Sequence, residues 1–83
     1  MFTFTFHTDC GHGWLEVPKA IVESLRIKVS RYSYQKGDKL YLEEDCDAPR
    51  LIEALKAANV KYNTVSKHFE GNHPIRNYNR VWC

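Results

Sequence analysis

Eighty-three residues, 43% hydrophobic and 27% charged, suffice for one domain with one core and leave no room for a second. That composition excludes a disordered chain, and a formal charge of only +2 is too small to imply nucleic acid by itself. No apolar run approaches the roughly 20 residues needed to span a bilayer.

The chain opens on an alternation. Phe2, Phe4 and Phe6 alternate with Thr3, Thr5 and His7, the period of a strand with one aromatic face buried. The same stretch has no basic n-region, so no secretory signal is expected. "DCGHG", residues 9–13, breaks the strand, and "WLEV" follows as a short extended or turning segment. If residues 14–17 formed an extra strand, "DCGHG" would become a hairpin loop in a different sheet. Pro18 suits a helix start, where its missing amide costs nothing. Ile21, Val22 and Leu25 then line one face of a short helix through about Arg26.

"SRYSYQKGDKLYLEE", residues 30–44, reads as a hairpin. Tyr32 and Tyr34 share a face, "KGD" turns, and Leu40 and Leu42 share a face on the return. A second helix follows, with Asp47 as N-cap, Pro49 in the first turn and Leu51, Ile52, Leu55 and Ala58 as its apolar stripe. Asn59 can end it in a left-handed conformation. "VKYNTVSKHF", residues 60–69, is the last strand, and residues 70–83 are expected as an irregular tail. The order β-α-β-β-α-β predicts a single α+β domain over residues 1–83. Two helices would pack on one face of a small antiparallel sheet, in ferredoxin-like order.

His7, Asp9, Cys10 and His12 are all competent metal ligands, and Cys and His suit zinc. A second half-site is missing, because Cys46, His68, His73 and Cys83 form no CxxC or HxxxH pair. The expectation is therefore no cofactor, with zinc at those four residues as the alternative. Cys46 reads as a small hydrophobe at a strand-to-helix corner, and no third group completes a thiol catalytic set around Cys10. A lone pair of glycines in "CGHG" punctuates a turn more simply than it cradles an anion. Three cysteines at irregular spacing argue for reduced thiols in a cytoplasm.

Two surfaces stand out. "EEDCD", residues 43–47, gathers Glu43, Glu44 and Asp45 ahead of a helix, complementing its dipole or facing a basic partner; a calcium-loop pattern is absent. Arg31, Tyr32, Tyr34 and Lys36 on the hairpin, and Arg76, Tyr78, Arg80 and Trp82 on the tail, mix cations with aromatics as single-strand nucleic-acid platforms do. The tail could instead pack Ile75, Tyr78 and Trp82 over an open apolar patch. The candidate binding residues are His12, Trp14, Tyr32, Tyr34, Glu43, Glu44, Asp45, Arg76, Tyr78 and Arg80.

Taken together, "HTDCGHGWLEVP", "YSYQKGDKLYLEEDCDAPRLIEALKAANV" and "HPIRNYNR" resemble a group of small, uncharacterised proteins encoded by phages and other mobile elements. Those proteins carry similar HGWLEV, YSY…YLEEDCDA and PIR-type tail segments, so the resemblance covers nearly the whole chain. It implies a short accessory protein in a bacterial-host cytoplasm that docks on a host or phage macromolecule, in the first instance a protein, with host takeover or anti-defence as its setting. Nucleic-acid binding through the basic aromatic tail and hairpin is the alternative. A metal-dependent enzyme or zinc module centred on "HTDCGH" is the second.

Overall fold

The computed structural model describes residues 2–80. Along the chain run β1 (Phe2–Thr8), β2 (Gly13–Pro18), α1 (Lys19–Ser24), β3 (Tyr34–Lys36), β4 (Lys39–Glu43), α2 (Asp47–Ala57), β5 (Tyr62–His68), a 3-10 turn (Pro74–Asn77) and β6 (Asn79–Arg80). The six strands form one sheet in the order β5-β1-β2-β4-β3-β6. β5 lies parallel to β1, and every other neighbouring pair is antiparallel.

This mixed, mostly sheet architecture overturns the expected two helices on a small antiparallel sheet in ferredoxin-like order. The difference begins at residues 14–17, which lie within β2. Thr5 pairs with Glu16 and His7 with Trp14, and the Asp9 amide donates to the His12 carbonyl at 2.9 Å to close a tight hairpin loop. Pro18 is the last residue of that strand and also the N-cap of α1, at the helix start expected for it. α1 is only six residues long, so α2, with eleven, is the one helix of ordinary length among the described residues. β2 hides its nature because Trp14, Leu15 and Val17 are buried on both sheet faces. A strand covered on both faces loses the apolar–polar alternation that marks a half-buried one.

On one face, Phe4, Leu15, Val17, Leu40 and Leu42 meet Val22 from α1 and Leu51 and Leu55 from α2. Leu51 and Leu55 are fully buried, each worth about 1.5–3 kcal/mol of apolar transfer. Asn59, at φ 57°, ends α2 in the left-handed conformation its side chain tolerates. Gly37, at φ 59°, supplies the positive φ of the tight β3–β4 turn.

Asp47 is not the N-cap of α2; Cys46 occupies that position and makes no side-chain cap. The Asp47 carboxylate turns inward, fully buried, and accepts from the Ser30 amide, the Ser30 hydroxyl at 2.7 Å and the Ser33 hydroxyl. Ser33 Oγ in turn accepts the Glu43 amide at 2.9 Å. The loop carrying Tyr32 is thereby stapled to the β4–α2 corner, and β3 starts only at Tyr34.

Trp14, Tyr34 and Tyr41 stand on the opposite face, with Ile75 fully buried among them and Tyr78 packed alongside. β5 and β6 are the two edges of the sheet, so the chain joining them has to cross it. It crosses on the side away from α2, and Ile75 and Tyr78 cover the aromatics that the helices leave bare. Trp82 lies outside the described residues. No helix among those residues is long and apolar enough to cross a membrane.

Candidate functional site

Asp9, at the end of β1, organises the site. One carboxylate oxygen accepts the Gly11 and His12 amides, each at 2.9 Å, which bends the β1–β2 loop. The other accepts the His73 amide at 3.0 Å, and Arg76 grips both, Nε at 2.7 Å and Nη2 at 2.9 Å. Arg76 above all, then the His73 amide, holds this buried carboxyl well below the usual carboxylate range. A bidentate guanidinium is held in plane as well as in place. Here it lies 5.3 Å from the centroid of the Trp14 ring.

A cleft of about 380 Å³ opens beside this junction. Trp14 and Tyr34 form its floor, edge to face with centroids 6.3 Å apart. His12 from the β1–β2 loop, Tyr32 from the stapled loop, and Glu43, Asp45 and Cys46 from the β4–α2 corner make one side. Arg76 and Arg80 of the tail make the other. Eight of the ten candidate binding residues thus converge on a single cavity. Glu44 stands at its rim beside His12 and Glu43. Tyr78 does not join them. It packs on Tyr41 at 5.1 Å between centroids, with Lys36 Nζ 4.8 Å above its ring, and lines a separate depression with Gln35 and Pro74.

The two charge signs in the cleft differ in availability. Arg76 is neutralised by Asp9, while Arg80 lies 4.7 Å over the Tyr34 ring and donates to the Arg31 carbonyl at 3.2 Å. Among the described residues, Glu43, Glu44 and Asp45 form no ion pair. Exposure differs as sharply: Trp14 is 2% and Tyr34 8% exposed, against 63% for Tyr32.

The sequence-predicted metal set does not assemble. His7 Nε2 sits 2.8 Å from Glu16 Oε1 on the face the tail covers, its ring 5.1 Å from His73. Asp9 is saturated by five N–H donors, and Cys10 is exposed and free, as Cys46 is free at the corner. Among the described residues, His12 is the one of these four that enters a group with ligand spacing: its ring nitrogen and the carboxylates of Glu43 and Glu44 lie within 4.8 Å of one another. The β2–β4 register, Trp14 opposite Glu43, and the 3.1 Å bond from the Glu44 amide to the Gly13 carbonyl create that proximity. Nothing local to either segment announces it.

Several contributors carry no sequence signal. His73 Nδ1 accepts the Ile75 amide at 3.1 Å, capping the 3-10 turn, and burial, followed by the nearby His7, pushes its pKa down. Tyr41, buried beside Glu16, is pushed up to about 12, with burial the leading cause. An apolar depression of similar size between α2 and β5 includes only one candidate residue, Glu44, so it is not where the predicted site lies. No protein-family model, curated protein or solved structure matches this chain.

Proposed function

We propose that this chain is a phage-type accessory protein of the bacterial cytoplasm that acts without catalysis, by seating a basic segment of a host or phage protein in the cleft. One observation carries the reading. Among the described residues Glu43, Glu44 and Asp45 form no ion pair, and Glu43 and Asp45 line the cavity together with the exposed Tyr32, while its own arginines are engaged. Unpaired acids steer a basic partner and an exposed tyrosine anchors it. The phage and cytoplasmic parts rest on the three resembling strings and on the free thiols of Cys10 and Cys46.

The same geometry favours protein over nucleic acid as the partner. A phosphate backbone would meet three carboxylates, and Trp14 is too buried to stack on a base. Fluorescence anisotropy with a labelled lysine- and arginine-rich peptide and a labelled single-stranded oligonucleotide separates the two. The peptide binds, and Tyr32→Ala or the pair Glu43→Gln with Asp45→Asn weakens it about tenfold or more without unfolding the protein. Tight oligonucleotide binding with no response to the peptide overturns the reading.

A second reading draws on the grouping of His12, Glu43 and Glu44, a mixed imidazole–carboxylate set that suits zinc or manganese. Calorimetric titration with Zn²⁺ or Mn²⁺ decides it. A stoichiometric isotherm that disappears in His12→Ala would move the function to this cluster, and a flat trace would remove it.

A further inference from the structure

We infer that β5 is a contact between two copies of this chain, paired antiparallel about a two-fold axis at Val65 so that their sheets join. The surface uses none of the cleft residues. β5 forms one edge of the sheet, seven residues long and exposed from Asn63 to its end. Of the four large hydrophobic residues exposed among the described ones, Val65, at 49%, lies within β5 and Phe69, at 42%, follows its end, while Phe2, at 44%, begins the adjoining β1. A long, exposed, partly apolar edge is a template for another strand.

The backbone dictates what such a strand can do. The Lys61 carbonyl accepts from Phe2, and the Phe69 amide donates to Thr8, so odd-numbered residues of β5 direct their backbone groups at β1. Even-numbered residues, Tyr62, Thr64, Ser66 and His68, therefore direct an amide and a carbonyl each away from the sheet. A two-fold antiparallel pair has to oppose even to even. Centring it on Val65 sets Thr64 against the second copy's Ser66, and Tyr62 against its His68, as hydrogen-bonded pairs. Val65 meets itself, and Asn63 meets Lys67, in the closer non-hydrogen-bonded pairs.

Side-chain chemistry selects that register. Sliding one way sets Lys67 against Lys61, and sliding the other sets it against Val65. Only the centred pairing packs valine on valine while setting each Lys67 against a polar, uncharged neighbour, Asn63. Lys67 thus disfavours the other registers. The interface is isologous, so it closes after two copies and cannot run on into a filament.

Sedimentation equilibrium from about 10 μM to 1 mM suits an interface below standard size. The mass rises from 9.8 kDa toward twice that value, and Val65→Lys returns it to one copy with an unchanged circular dichroism spectrum. Cross-linking tests the register whether or not that variant folds. With oxidised glutathione, Val65→Cys gives a covalent dimer linked at position 65, mapped by mass spectrometry of its peptides. Asn63→Cys and Lys67→Cys link to each other when mixed, but neither links to itself. A single-copy mass throughout the range, or association with cross-links that map elsewhere, overturns the inference.

Discussion

Arg76 holds Asp9 through both Nε and Nη2, at 2.7 and 2.9 Å, across a sequence separation of 67 residues. The pair fastens the tail to the β1–β2 loop and so sets the distance between the arginine and acidic sides of the cleft. Lysine can supply the charge but not the planar fork. Arg76→Lys is expected to lower Tm and to expose residues 70–80 to trypsin about tenfold faster than in the parent, since the tail opens as a local unit. Equal cleavage rates would show that Ile75 alone holds the tail.

The same carboxylate makes folding sensitive to acid. The pKa of Asp9 is depressed in the folded state, so its contribution is complete above the ordinary value of 3.8. It is lost as the pH falls from there toward the lowered folded value. Urea titrations between pH 2 and about 5 are expected to show a steeper loss for the parent than for Asp9→Asn, which is less stable at neutral pH but flatter.

His73 acts in a milder window. Its Nδ1 has to be unprotonated to accept the Ile75 amide, and burial, with His7 nearby, disfavours the charged ring against a smaller opposing effect of Asp9. A depressed folded pKa means stability complete above the ordinary value of 6.5 and lost as the pH falls below it. Hydrogen exchange at the Ile75 amide, corrected for intrinsic rates, should accelerate between pH 7 and about 5. His73→Asn keeps a capping acceptor without titrating, and should abolish that dependence.

Ile75 is fully buried on the face opposite α2, against Trp14, Tyr34 and Tyr41. Ile75→Ala should cost about 2–5 kcal/mol, as much as Leu51→Ala in the helix-side core. An unfolding free energy within a few tenths of a kcal/mol of the parent would show that the tail merely rests on the sheet.

Gly13 faces Phe6 so closely that an added methyl would lie 2.6 Å from Phe6 Cζ and 3.0 Å from Glu44 Oε2. Gly13→Ala must therefore displace a half-buried ring and a carboxylate at the cleft rim. We expect a loss of about 1–3 kcal/mol, with weaker peptide binding because Glu44 moves. A variant as stable as its parent would mean that Phe6 swings freely into the depression beside α2.

Local signals in the sequence determined a good part of this protein. The period of β1, the glycine turn between β3 and β4, the stripe of α2 and its Asn59 terminus are all written within windows of a few residues. Periodicity and turn chemistry are local, so they can be read locally. Most of the residues that face the cleft were legible too, because tyrosine, tryptophan, arginine and clustered acids announce a surface by type. Tertiary structure decided the rest. β2 stood only as an alternative, an extra strand at residues 14–17, because a strand buried on both faces shows no alternation to decide for it. Arg76 looked like a free cation until Asp9, far away in the chain, was seen to hold it. His12 reads in the sequence as one ligand of a set with His7, Asp9 and Cys10, whereas the β2–β4 register sets it beside Glu43 and Glu44. Strand register and long-range ion pairs are properties of two segments at once, and no single stretch of the chain contains them.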